Sequence, residues 1–142
     1  MGKADIGGKH VLGSAPETWV RWLFGDSELE VLEMVTEEFR FVLRHSDELL
    51  LIQEGCKHFL LLTELQLRGD ARMPRRMRAY AALAEEKYDL SVYPVVLQLL
   101  PPGKVEGPVA HYHRVFKGLA AHQDYRVINA WEIEATDVLK RE

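Results

Sequence analysis

From Leu49 to Ile52, and again from Phe59 to Leu67, apolar residues run almost without interruption, the mark of strands buried in a sheet rather than of an amphipathic helix. Gln53-Glu54-Gly55 between them predicts a turn, so strands over 47–53 and 58–68 fold back antiparallel. Upstream, Ser14-Ala15-Pro16-Glu17 opens a helix with Ser14 as N-cap and Pro16 in the first turn. Trp19, Trp22 and Leu23 recur there at i, i+3 and i+4 as one buried stripe, and the helix stops at Gly25. Residues 28–44 mix both periods, with Phe39-Arg40-Phe41-Val42-Leu43 favouring a strand. Downstream, Pro74 fits the first turn of a helix running to about Tyr88, with Met73, Met77, Tyr80, Ala81, Ala84 and Tyr88 on one face. Val92 to Leu100 reads as another buried strand ended by Pro101-Pro102-Gly103, and Pro94 implies a start with no ladder bond on its side. Further strands are predicted around 114–119 and 125–133, and a helix over 135–140. The order predicts one α/β domain over 1–142, a mixed β-sheet flanked by helices, with the Gly-rich residues 1–13 as a loose arm.

Polar residues matter most where they interrupt this pattern. Glu64 and Gln66 close a buried strand and share a face, about 6–7 Å apart. A carboxylate at such a position is costly unless it is paired or binds a metal. Asp47 opens the neighbouring strand, and the antiparallel return brings it near Glu64. Two readings stay open for the trio: a metal site, or strand-end polar groups that face solvent or bridge to arginines.

Composition narrows the setting. A chain of 142 residues, 47% hydrophobic and 28% charged, is long enough to bury a core and too apolar to be mainly disordered. The lone Cys56 forms no internal disulfide, and no apolar run approaches the ~20 residues needed to span a bilayer, so a reducing cytoplasm is the expected location. Net charge of −4 argues against a general polyanion binder. Locally the balance reverses: Arg68, Arg72, Arg75, Arg76 and Arg78 face a single acid, Asp70, between Arg68 and Tyr80. Basic residues in the first turns of a helix oppose the macrodipole, typically by ~0.3–1 kcal/mol each. The same placement makes a phosphate site. The alternatives are a solvated face balanced by Asp70, Glu85 and Glu86, or contacts to the partner subunit of a homodimer.

An acid opening one strand and Glu-x-Gln closing its neighbour resemble the PD-(D/E)XK nuclease superfamily. The wider text is similar to its recombination-promoting nuclease and transposase-like branch through Asp5-Ile6-Gly7-Gly8-Lys9, Trp19-Val20-Arg21-Trp22-Leu23, Ser46-Asp47-Glu48-Leu49-Leu50, Thr63-Glu64-Leu65-Gln66-Leu67-Arg68 and Met73-Pro74-Arg75-Arg76-Met77-Arg78-Ala79-Tyr80. The likeness covers residues 5 to about 134, and the order of the segments carries more weight than any one of them. It implies a restriction-endonuclease-like core: a meander, a crossover helix and a parallel strand. It implies Mg²⁺ or Mn²⁺ held by Asp47, Glu64 and the Leu65 carbonyl, and DNA as the partner, held along the arginine cluster. It also implies a role in recombination or mobile elements, with relatives that continue beyond the point matched by Glu142. Gln66 stands where the superfamily usually has lysine. A neutral amide orients water, but it does not supply positive charge to a pentacovalent phosphate. The resemblance therefore implies either a metal-dependent endonuclease or a nuclease fold retained for DNA binding or protein interaction.

The remaining chemistry-bearing residues say less. His111 and His113 share a face of any strand that holds them, but no third ligand at a recognisable spacing accompanies them. Cys56 lies in a turn with no catalytic context. Tyr80 falls on the methionine stripe and reads as core, and no Walker-type or dinucleotide loop is present.

Overall fold

A computed structural model describes residues 16–32, 47–101 and 109–133. The chain divides into two compact units, Met1–Arg40 and Phe41–Glu142. Within the first, helix α1 spans Pro16–Phe24 and ends at Gly25, whose φ of 62° suits a glycine after a helix terminus. Arg21 bridges to Glu17 one turn back at 2.5 Å and donates from Nε to the Leu29 carbonyl at 3.0 Å. The expected buried stripe is not found. Trp19 and Trp22 stack on each other at 5.3 Å, yet both are exposed, as is Leu23. Ser14 and most of the ambiguous 28–44 stretch lie outside the described residues, and residues 28–32 form no strand.

The second unit is a mixed α/β structure. Strands β1 (Asp47–Glu54) and β2 (Lys57–Gln66) form an antiparallel hairpin, helix α2 (Met73–Tyr88) crosses over, and β3 (Val92–Gln98) returns parallel to β2. A second hairpin, β4 (His111–Phe116) and β5 (Leu119–Asp124), precedes β6 (Arg126–Asn129), which lies parallel to β3. The main sheet has the order β1-β2-β3-β6. Gly55, with φ of 61°, takes the first position of the β1–β2 turn, where a two-residue II′ loop demands a glycine. The turn is Gly55-Cys56 rather than the predicted Gln53-Glu54-Gly55, and it leaves the Cys56 thiol exposed.

One face of the sheet packs under α2. Leu62, Val96 and Tyr125 meet Met73, Met77 and Ala81 in the core, flanked by Leu49, Tyr80, Val92 and Val127. The predicted helix face is right for Met73, Met77, Ala81 and Ala84, all buried, whereas Tyr88 is exposed. The lack of an N–H at Pro94 has a clear place in the ladder. Leu60 N–H donates to the Ser91 carbonyl and Leu99 N–H to Gln66, so odd-numbered residues of β3 turn their main chain to β2 and Pro94 turns away. On that other side pairing with β6 covers only Val95–Gln98.

Two strand expectations shift. The stretch 114–119 is not one strand; it contains the β4–β5 turn at Lys117-Gly118, both with left-handed φ (49° and 79°). Beyond Asn129 the expected strand gives way to a short 3-10 turn, Ala130–Glu132, and the 135–140 helix lies outside the described residues. Tyr125 links the β4–β5 hairpin to the core, its hydroxyl donating to the Val109 carbonyl. Burial pushes its phenol up to about 12. Because the folded value lies above the ordinary 10.0, the stability this group contributes is complete below pH about 10 and is lost as pH rises through 12. Spectrophotometric titration should show a late phenolate transition in the wild type that Tyr125→Phe removes. A transition surviving in the variant would assign it to another residue.

Candidate functional site

β2, β3 and β6 run parallel, and each ends on a carboxamide: Gln66, Gln98 and Asn129. Register places the three side by side, Gln66 opposite Gln98 and Gln98 opposite Asn129. Registered residues share a sheet face, here the one covered by α2, on which Leu62, Val96 and Val127 form the core. The carboxyl ends of parallel strands are where open α/β sheets carry their ligand crevices. Two residues back along β2, Glu64 lies on the same face and is 1% exposed. Across the antiparallel ladder the position opposite Glu64 is Asp47, as expected.

Arg76 completes the cluster. It lies in the second turn of α2 and its Nη2 donates to Glu64 Oε1, while Nη1 stands 3.7 Å from Asp70 Oδ2. Its guanidinium also lies 5.9 Å from the Tyr80 ring centroid. Asp70 serves the helix as well, accepting from the Arg72 backbone N–H at 2.9 Å and so satisfying a donor at the helix start. Bridging to an arginine was one of the alternatives left open for Glu64, and that alternative is realised for one of its oxygens.

The other oxygen has no such partner. Glu64 Oε2, Arg76 Nε, Gln98 Nε2 and Asn129 Oδ1 are buried and make no hydrogen bond. Buried polar atoms are nearly always satisfied, and each one left alone costs about 1–3 kcal/mol. Three of these atoms lie on strands of the main sheet, and the fourth, Arg76 Nε, lies on α2 packed over it. Even-numbered residues of β2 turn their main chain to β3, so Leu65 faces the β1 side, one step past the last register pair, Asp47 with Glu64.

The remaining arginines point elsewhere. Arg68, Arg72 and Arg75 are exposed, and Arg78 lies with its guanidinium 5.0 Å from the Tyr112 ring centroid. Gln66 is half-buried at the end of β2. Gln98 and Asn129 were missed in the sequence, where each is a single polar residue near the end of an apolar run; only the parallel register joins them to Gln66. Among the described residues no group of three His, Cys, Asp or Glu side chains converges on one point, and no helix is long and apolar enough to cross a membrane.

The second unit is thus a small mixed α/β domain whose sheet carries a polar, under-satisfied rim beside a buried carboxylate. Comparison with protein-family models, curated proteins and solved structures returns no significant match.

Proposed function

We propose that this chain is a metal-dependent DNA endonuclease of the PD-(D/E)XK type, with a restriction-endonuclease-like core formed by β1, β2, α2 and β3. The observation that carries the reading is the buried Glu64 with its free Oε2, in register with Asp47 at the polar rim. The donor set is all hard oxygen, the kind that Mg²⁺ and Mn²⁺ prefer, and an unpartnered carboxylate oxygen supplies the opening. Asp47, Glu64 and the Leu65 carbonyl would hold the ion. When bound, such an ion neutralises phosphate charge and lowers the pKa of its water.

The protein's own residues account for the rest. Gln66 orients the attacking water through its amide. Arg76, already beside Glu64, supplies the positive charge that an amide at position 66 lacks. Exposed Arg68, Arg72 and Arg75 hold the DNA backbone near the start of α2, where the macrodipole also favours phosphate. Arg78, on Tyr112, lies at the margin of that surface.

A second reading is a nuclease fold that no longer cleaves and serves in DNA binding or protein interaction. The Arg76–Glu64 ion pair favours it, since a carboxylate committed to a guanidinium resists a metal. Nicking of supercoiled plasmid by the purified chain separates the two. The first reading expects cleavage with Mg²⁺ or Mn²⁺, none with chelator, and loss of at least about 10²-fold in Asp47→Ala and in Glu64→Ala, in line with the loss of a group that stabilises developing charge. Plasmid that is retarded in a gel but never nicked selects the second.

A further inference from the structure

We propose a second metal site, for a borderline first-row ion such as Zn²⁺ or Cu²⁺, on the outer face of the β4–β5 hairpin, with His113 and His122 as ligands, His111 as the third and Asp124 holding His122 in place. His113 lies directly opposite His122 in the ladder and His111 opposite Asp124, so all four residues share one face. Tyr112, on the opposite face, lies against Arg78 of α2, which leaves the histidine face turned outward; His111, His113, His122 and Asp124 are all exposed.

The nitrogen geometry is the main argument. His113 Nδ1 and His122 Nδ1 stand 3.1 Å apart. Two nitrogens bound to one tetrahedral ion at about 2.0–2.1 Å stand about 3.3 Å apart, so a small parting of the rings admits the metal. His122 Nε2 lies 2.9 Å from Asp124 Oδ1. An ionised carboxylate only accepts, so the Nε2 proton is held there and Nδ1 of the neutral ring keeps its lone pair for the ion. A carboxylate behind a histidine is the usual device for fixing the tautomer of a metal ligand. The third nitrogen is not yet in place among the described residues. His111 stacks on His122 at 6.1 Å between ring centroids, and a rotamer change of an exposed side chain, a picosecond to nanosecond event, swings it inward.

Such a site has a structural consequence. A two-stranded sheet is marginal by itself, and ligands drawn from both strands would clamp it and, through Tyr112, steady Arg78. The ligand set differs in kind from the carboxylate site at Glu64, so the two proposals stand or fall separately.

Co²⁺ added to the full chain tests it, with the visible bands of a low-coordinate complex as the readout and Zn²⁺ as competitor. One equivalent should bind at micromolar concentration and be displaced by Zn²⁺ but not by Mg²⁺. His113→Ala and His122→Ala should each weaken binding at least 100-fold, Asp124→Asn by about 10–100-fold, and Asp47→Ala not at all. His113→Gln, which keeps size and polarity on this exposed strand, should lose binding with an unchanged far-ultraviolet circular dichroism spectrum. Binding that survives in the His113→Ala/His122→Ala double variant overturns the site.

Discussion

Arg76→Ala is expected to lower the stability of the second unit by about 3–5 kcal/mol, the typical result of removing one partner from a buried ion pair. Glu64 is 1% exposed, and its only hydrogen-bonded oxygen, Oε1, is held by Arg76. Truncation leaves a buried carboxylate with nothing to neutralise it. Removing both charges behaves differently, because a buried pair seldom repays its desolvation. Glu64→Leu combined with Arg76→Met should therefore recover most of the loss, and urea denaturation of the two singles and the double measures the coupling directly. An unfolding free energy within about 1 kcal/mol of wild type for Arg76→Ala would mean that the pair is not holding the carboxylate in place.

The same variant also probes the metal. With the guanidinium gone, Glu64 has both oxygens free, so Mg²⁺ should stabilise Arg76→Ala more than it stabilises the wild type. A denaturation midpoint that does not move with Mg²⁺ in the variant counts against Glu64 as a ligand. This separates the charge that holds Glu64 in the fold from the charge that the proposed reading gives to phosphate.

How much of this was legible in the sequence depends on the range of the interaction. The β1–β2 hairpin was readable because two apolar runs flank a Gly-containing turn, and once the hairpin is granted, counting along it sets Asp47 against Glu64. The crossover helix was readable from its methionine and alanine stripe. The inward course of Arg76 left a signal that the charge pattern concealed: it lies three residues after Met73 and four before Tyr80, on the edge of the buried face, so it belongs with the stripe as much as with the arginines. The β4–β5 turn was missed because Lys117 takes a left-handed φ of 49° at a position where asparagine or glycine is the usual sign. The carboxamide row was out of reach, since Gln66, Gln98 and Asn129 are joined only by parallel pairings about thirty residues apart in the chain. The histidine cluster failed for the same reason. His111 and His113 were visible as a pair, while His122 and Asp124 arrive across a turn that the sequence pattern placed inside a strand.

On the proposed reading, substitutions at Gln66 separate an enzyme from a fold that no longer cleaves. If the amide orients the attacking water, Gln66→Lys should retain or raise Mg²⁺-dependent nicking, because an ammonium at the end of β2 adds charge to the side of the phosphate that the amide leaves bare. Gln66→Leu should lower nicking by about 10²-fold, as expected for removing one well-placed polar group, and leave Mg²⁺-dependent stabilisation intact. Asp47→Ala should abolish both, since it discards a carboxylate the ion needs, whereas Gln66 acts only on the nucleophile. Gln66 is only half-buried at the end of β2, so leucine at position 66 should leave the fold intact, which an unchanged urea denaturation midpoint would check. If the wild type cleaves nothing with either Mg²⁺ or Mn²⁺ and Gln66→Lys creates no activity, the catalytic reading fails. The polar rim would then be a binding surface, with the Arg76–Glu64 pair as its closed resting form.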